Sequence, residues 1–287
     1  MKRWTVLSAA ALLLAGTAPA GTANAAGTTT ERTAGTCDVS LSSFGPEGHP
    51  TTGLGPVRLA STSTQLAYGH GLDLSGWAVS GDRAYYWYYS LTNEAEVDPG
   101  MPRGAQPVGG GWSAYKALEV SQFAAKGATT RNTAYGLSGD GTLRRWSFDV
   151  NIPWRFKATG SAPGFAAVKS MALISKTATY DTFLANTRGG ALYTIRIPVG
   201  APMKPVVKPV RTRTWQGFEK LVATKCGQYG TFLVGVDFDT RTAYQYAVGH
   251  ANGTATVIVG LGRRSGTFPA RAYFRWATNP YEPLNGD

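Results

Sequence analysis

The sequence predicts an all-β protein, a β-propeller with five four-stranded blades, and three observations carry that prediction. The composition suits short strands and tight turns, with 36 Gly, 16 Pro, 14 Tyr and 8 Trp among 287 residues. Gly and Pro set turn geometry, while aromatic and β-branched side chains fit pleated surfaces. A unit of about fifty residues recurs, which is the period of a propeller blade. Only residues 268–287 follow the fifth start of that unit. Such a remnant would expose an unpaired edge unless strands from the other end of the chain complete it.

Residues 1–25 read as a signal peptide. Lys2 and Arg3 precede an apolar stretch from Val6 to Leu14, and Ala23-Asn24-Ala25 offers a small-residue cleavage site. A membrane anchor needs about 20 apolar residues, and Gly16, Thr17 and Pro19 interrupt this run too early. No later stretch approaches that length, so a secreted, extracellular protein with no integral membrane segment is expected. Loss of Lys2 and Arg3 takes the formal net charge from +11 to +9. Residues 26–36 are expected to be a flexible N-terminal segment and residues 37–287 a single propeller domain. Cys37 and Cys226 then meet an oxidising compartment and have one possible intramolecular pairing. That bridge would restrict the unfolded chain by about 4–5 kcal/mol; two buried free thiols are the alternative.

Within the domain, four segments align: Leu54-Gly-Pro-Val57-Arg58, Trp112-Ser-Ala-Tyr115-Lys116, Phe165-Ala-Ala-Val168-Lys169 and Phe218-Glu-Lys-Leu221-Val222. Each places a second apolar residue three positions after the first and continues into a strand-like run. Phe268 opens the fifth. About twenty residues into each of the four, two strand-like runs flank a Gly/Asp turn, the signal of a β-hairpin. The turns are Gly81-Asp82, Gly139-Asp140-Gly141, Arg188-Gly189-Gly190 and Asp237-Phe238-Asp239. Gly and Asp are favoured there because tight hairpin turns need positive φ. A fourth apolar run precedes the next start, as in Trp154-Arg-Phe156 and Ala255–Val259. A solenoid of such units would need distinct capping repeats, and none is visible. The remnant after Phe268 is expected to pair with the strand-like Cys37–Phe44 segment, so that N- and C-terminal strands close the ring. Four or six blades are the alternatives to five.

Three of these motifs, Gly111-Trp112…Lys116, Gly139-Asp-Gly-Thr-Leu143-Arg-Arg-Trp146 and Gly164-Phe165…Lys169, resemble the tachylectin-type β-propellers. The resemblance spans roughly residues 37–287. It implies a secreted lectin whose blades bind acetylated amino sugars at repeated shallow sites. The chain departs from that pattern in its unequal unit lengths and in Arg188-Gly189-Gly190, which replaces Gly-Asp-Gly.

Residues with chemistry are few. Asp82, Asp140, Asp237 and Asp239 sit at hairpin turns, where carboxylates cap backbone donors. A glycosidase needs two carboxylates about 5–10 Å apart, and the predicted inner strands supply only Glu119 and Glu219. No Gly-x-Ser-x-Gly motif appears. His49, His70 and His250 are scattered, so no catalytic residue, metal or other cofactor is expected. Gly109-Gly110-Gly111 lacks the strand-to-helix context of a phosphate loop. Aromatic residues are the stronger signal. The run Tyr85–Tyr89 alternates faces in a strand, so one set packs between blades and the other could offer a stacking platform for sugar. Tyr85, Trp87, Trp112, Asp140 and Trp146 are the candidate ligand-binding residues. The positive charge biases the chain toward anionic partners, and no motif for sequence-specific nucleic-acid reading is present. The reading is a non-catalytic, carbohydrate-binding propeller that recognises a glycan or an anionic extracellular polymer. A glycan-active hydrolase and a protein–protein interaction scaffold are the alternatives.

Overall fold

The computed structural model describes residues 41–44, 52–69 and 71–287. The expected signal peptide, segment 26–36, Cys37, His49 and His70 lie outside the described residues. The remainder is all-β, as the composition requires. Strand β1 (Leu41–Phe44) precedes β2 (Val57–Tyr68), β3 (Gly71–Ser80), β4 (Arg83–Thr92) and β5 (Gly104–Gly109). The second sheet holds β6 (Tyr115–Phe123), β7 (Arg131–Ser138), β8 (Leu143–Asp149) and β9 (Ile152–Ala162). The third holds β10 (Val168–Lys176), β11 (Tyr180–Thr187), β12 (Leu192–Pro198) and β13 (Val206–Arg211). The fourth holds β14 (Lys220–Cys226), β15 (Gly230–Asp237), β16 (Thr242–Val248) and β17 (Ile258–Arg263). Each is an antiparallel meander that follows the repeat.

The described residues form four sheets, not the five blades expected from the sequence. Strand β18 (Ala272–Ala277), the product of the fifth start, founds no sheet of its own. It pairs in parallel with β2 at Arg275↔Thr62, Trp276↔Ser63 and Ala277↔Thr64. Its other edge pairs antiparallel with β1, from Leu41↔Arg275 to Phe44↔Ala272. With both edges hydrogen-bonded, β18 has no unpaired backbone left to nucleate further strands. It enlarges the first sheet to the order β1-β18-β2-β3-β4-β5. The anticipated pairing of N- and C-terminal strands is present, but inside this sheet.

Burial explains which sequences occupy which strand. Strands β11 and β15 lie inside their sheets and between neighbouring sheets, so both faces are covered and their residues are almost continuously buried. The outermost strands carry Pro107 in β5, Pro153 in β9 and Pro209 in β13, and β12 ends on Pro198. A missing N–H is readily tolerated at a sheet edge. Among the described residues the core is correspondingly divided into five apolar clusters set between packed strands. The cluster between the first and second sheets is an aromatic seam of Trp77, Tyr86, Phe148, Phe156, Trp146 and Trp112. Among the described residues no helix is long and apolar enough to cross a membrane.

Successive units are held by the same contact at each junction. A backbone N–H at the start of one unit donates to a carbonyl in the hairpin turn of the unit before; the donor is the opening residue itself except in the fourth unit, where it is Trp215, three residues ahead of Phe218. Trp112 donates to Asp82, Phe165 to Gly141, Trp215 to Gly190 and Phe268 to Arg241, at 2.9–3.0 Å. The approach is close enough to dictate glycine. Gly141 has φ +88°, and a Cβ there would lie 2.2 Å from the backbone nitrogen of Ala166. Asp82 adds its carboxylate, which accepts from Ser113 N at 2.9 Å and Gly111 N at 2.8 Å. Hydrogen bonds from Ser113 and Gly111 hold the Asp82 carboxyl down at about 2.

Candidate functional site

The basic residue that follows the second apolar position of each repeat has a structural origin. The ladder between the first two strands of a sheet slips between Val57 and Leu59, between Tyr115 and Ala117, and between Val168 and Ser170. Arg58, Lys116 and Lys169 are the residues left at these bulges. A bulge adds one unpaired residue and re-aims its side chain. All three cations turn toward the opening of the next unit. Arg58 donates to the carbonyls of Tyr115, at 2.7 Å, and Trp112. Lys116 donates to Ala166 O at 3.1 Å, and Lys169 to Gln216 O at 2.5 Å. The fourth sheet has no shift between β14 and β15 and no cation at the matching position. There Lys220 instead reaches Ala60 O at 3.0 Å and Glu119 at 3.4 Å.

These openings converge. A depression of about 70 Å³ is lined from five inner strands or their lead-ins: Arg58, Lys116, Ser170, Lys220 and Arg271, with Glu219 and Phe238 beside them. Arg271 lies three residues after Phe268, one position ahead of the repeat's usual cation, and still lines the same depression. Its guanidinium stands 5.8 Å from the Phe238 ring centroid. Two carboxylates accompany the cations, and both are engaged. Glu219 pairs with Lys169 and accepts the Phe238 N–H at 2.8 Å. Glu119 is buried and pairs with Lys220. Burial lowers the Arg58 and Lys116 pKa values, with Asp82 and Asp140 nearby opposing that effect.

The residues singled out from sequence do not gather in this depression. Trp87 is buried and packs at 5.4 Å against Phe274 of β18, with Tyr85 and Tyr89 in the same cluster. Trp112 is buried between Tyr115, at 4.5 Å, and Trp146, at 5.4 Å. Trp146 is half-buried at the same seam. Asp140 is exposed and spends its carboxylate within its own turn, accepting from Ser138 and from Thr142 N at 2.8 Å. The alternation along β4 is as anticipated, but both faces meet a neighbour: Tyr86 packs on Trp77 at 5.1 Å and lies 6.3 Å from Trp154. Sequence reasoning did not place the bulge cations in a site, although the recurring Arg/Lys was the signal available. Among the described residues no group of three or more His, Cys, Asp or Glu could hold a metal ion.

No protein-family model matches the chain, and no curated protein sequence matches it. Solved structures similar to it include the catalytic domain of a GH62 α-L-arabinofuranosidase from Coprinopsis cinerea. That pair has a TM-score of 0.47 and 13% identity, over 82% of this chain and 79% of the other. A lectin from Aleuria aurantia in complex with a fucosyl-GlcNAc disaccharide gives a TM-score of 0.38 and 15% identity, over 71% and 63% of the two chains. AofleA from Arthrobotrys oligospora gives 0.39 and 9%, over 75% and 76%.

Proposed function

We propose that the chain is a secreted, non-catalytic, lectin-like propeller that binds an acidic glycan or anionic extracellular polymer where its inner strands converge. In this reading β18, lying between β14 and β2, completes the circle of inner strands. The observation that carries the proposal is the convergence of Arg58, Lys116, Lys220 and Arg271 on one depression beside Glu219 and Phe238. Cations pair with a sugar carboxylate or sulfate, a carboxylate accepts sugar hydroxyls, and an aromatic ring covers an apolar sugar face. The tachylectin-type motifs support the sugar class. Hydrolysis is the competing reading. It would use Glu119 and Glu219, and both are committed to lysine ammonium groups, which favours binding over catalysis.

A glycan array read across a salt series tests this. Acidic glycans should be retained at moderate salt, whereas purely charge-driven adhesion fades as the Debye length shrinks. Arg271→Ala should weaken retention about tenfold, the loss of one charge-assisted contact. Trp87→Phe, placed in the core, should leave it unchanged. Retention of neutral and acidic glycans alike, or an unaltered Arg271→Ala, would overturn the proposal. Turnover of any bound polysaccharide that Glu119→Gln or Glu219→Gln abolishes would establish the hydrolase.

A further inference from the structure

Strand alternation builds a second polar pocket on the opposite side of the second sheet from the aromatic seam. Residues two apart share a face of a strand. Arg131, Thr133 and Tyr135 therefore line one face of β7, and Arg145 and Ser147 the same face of β8, with Thr133 directly opposite Ser147. Trp146 and Phe148 point the other way, into the seam. The polar face looks toward the third sheet. Together with Thr159 of β9 and Val199, it encloses a cavity of about 120 Å³. Thr159 is exposed and Val199 half-buried, so they form its accessible rim.

The charges around this cavity do not balance. Asp181, fully buried, accepts from Arg131 Nη2 at 2.8 Å, Tyr135 Oη at 2.6 Å and Ser121 Oγ at 2.7 Å. Burial, then the Asp181 charge, keeps the Tyr135 hydroxyl protonated well past its usual range. That single carboxylate is saturated by Arg131 and its neighbours. Arg145 is only 4% exposed and has no carboxylate partner among the described residues. Its guanidinium donates to Pro198 O at 2.7 Å, Gly200 O at 3.2 Å and Thr159 Oγ1 at 3.2 Å, all neutral acceptors. A buried charge without a counter-charge is unfavourable unless something else supplies one. Two donors in the same place are also unspent. Arg131 Nε is buried without a hydrogen-bond partner, and Ser147 makes no side-chain hydrogen bond among the described residues.

We infer that this cavity is a binding site for a small oxyanion, a carboxylate or sulfate group, that neutralises Arg145 and accepts from Arg131 Nε and the Ser147 hydroxyl. The group could arrive as a free ion or on the end of an acidic sugar. The site is separate from the convergent depression, being built from β7, β8, β9 and the segment after β12. It does not depend on the proposal made for that depression.

Thermal unfolding of the full chain with added sulfate, acetate, glucuronate, glucose or chloride, at matched ionic strength, tests this. Saturable stabilisation by sulfate or acetate is expected, reaching several degrees at roughly 100 times Kd. Glucose and chloride should have no such effect. Glucuronate distinguishes the sources: a rise like that of acetate means a sugar-borne carboxylate fits, and none restricts the site to free ions. Ser147→Ala should weaken the apparent affinity about tenfold. Ser147→Asp places a carboxylate in the cavity and should raise the ligand-free transition while abolishing the response. Arg271→Ala should respond like the unaltered protein, so failure at the depression would not be mistaken for failure here. A non-saturating rise shared by all variants would be the general exclusion effect of sulfate and would overturn the inference. So would the absence of any response, or an unaltered response in both Ser147 variants.

Discussion

Lys116 Nζ donates to the carbonyl of Ala166, 3.1 Å away and 50 positions along the chain. Arg58 and Lys169 make the corresponding contact one unit earlier and one unit later. The recurring basic residue is therefore a staple between neighbouring sheets, and its charge at the convergent depression is a consequence of where the staples lie. Neutral carbonyls hold these cations in place without cancelling their charge, so a structural repeat leaves behind a positively charged surface. Of the staple cations and those lining the depression, Lys169 and Lys220 meet a carboxylate among the described residues.

The close approach at Gly141 predicts a strong position dependence among turn glycines. Gly141→Ala must relieve both a positive φ and a Cβ 2.2 Å from Ala166 N. It should cost about 2–3 kcal/mol in urea unfolding. Gly189, with nothing within 4 Å of its Cβ position and no left-handed φ, should tolerate alanine within about 0.5 kcal/mol. Equal costs at the two sites would show that the junction is not held by this approach.

Lys176 predicts a rise of stability with pH. It is buried at the end of β10 and donates to Pro280 O at 2.7 Å. Desolvation, aided by the Arg275 charge and opposed by Asp181 and Glu282, lowers its pKa to about 7. Below that value the amine is charged in both folded and unfolded chains, and the cost of burying it is fully present. Between about 7 and the unfolded value near 10.5, the unfolded chain binds more protons. Stability therefore climbs with pH across that window. Relative to Lys176→Met, the unaltered protein should gain on the order of a few kcal/mol between about pH 6 and pH 10. Parallel stability profiles for the two proteins would refute the shift.

The fold was legible because two signals recur in register, the opening apolar pair and the Gly/Asp turn, and the structure joins them by a hydrogen bond from Trp112, Phe165 and Phe268, with Trp215 making the bond just ahead of Phe218. The blade count was less legible. Phe268 looks like any other start, and nothing in Ala272–Ala277 reveals that its partner is β2 in parallel. Among site residues, the burial of Trp87 was not legible for a related reason. Period-two alternation assigns a side chain to a face but cannot tell whether that face meets solvent or another sheet. In this packing both faces of β4 meet a neighbour, Tyr86 against Trp77 and Trp87 against Phe274. The recurring cations were not placed in a site because a bulge is a register relationship between two strands, invisible in either strand alone. The oxyanion pocket was half visible: Arg131-Asn-Thr133-Ala-Tyr135 and Arg145-Trp-Ser147 alternate plainly, yet only the structure shows that Asp181 satisfies one arginine and not the other.

The remaining prediction concerns the bridge expected between Cys37 and Cys226. Cys226 is buried at the end of β14, in a cluster that includes Tyr273 of β18. Tyr273 is opposite Ser43 in the β1–β18 ladder, and β1 begins at Leu41 opposite Arg275. Titration of the denatured, unreduced protein should find no free thiol. Cys226→Ser should lower stability by about 4–5 kcal/mol, since the closed loop is long. It should speed proteolysis of the N-terminal strand first, because that strand pairs with the rest of the protein through its ladder with β18. Two titratable thiols per chain would exclude the bridge and leave that ladder as the attachment of the N-terminal strand.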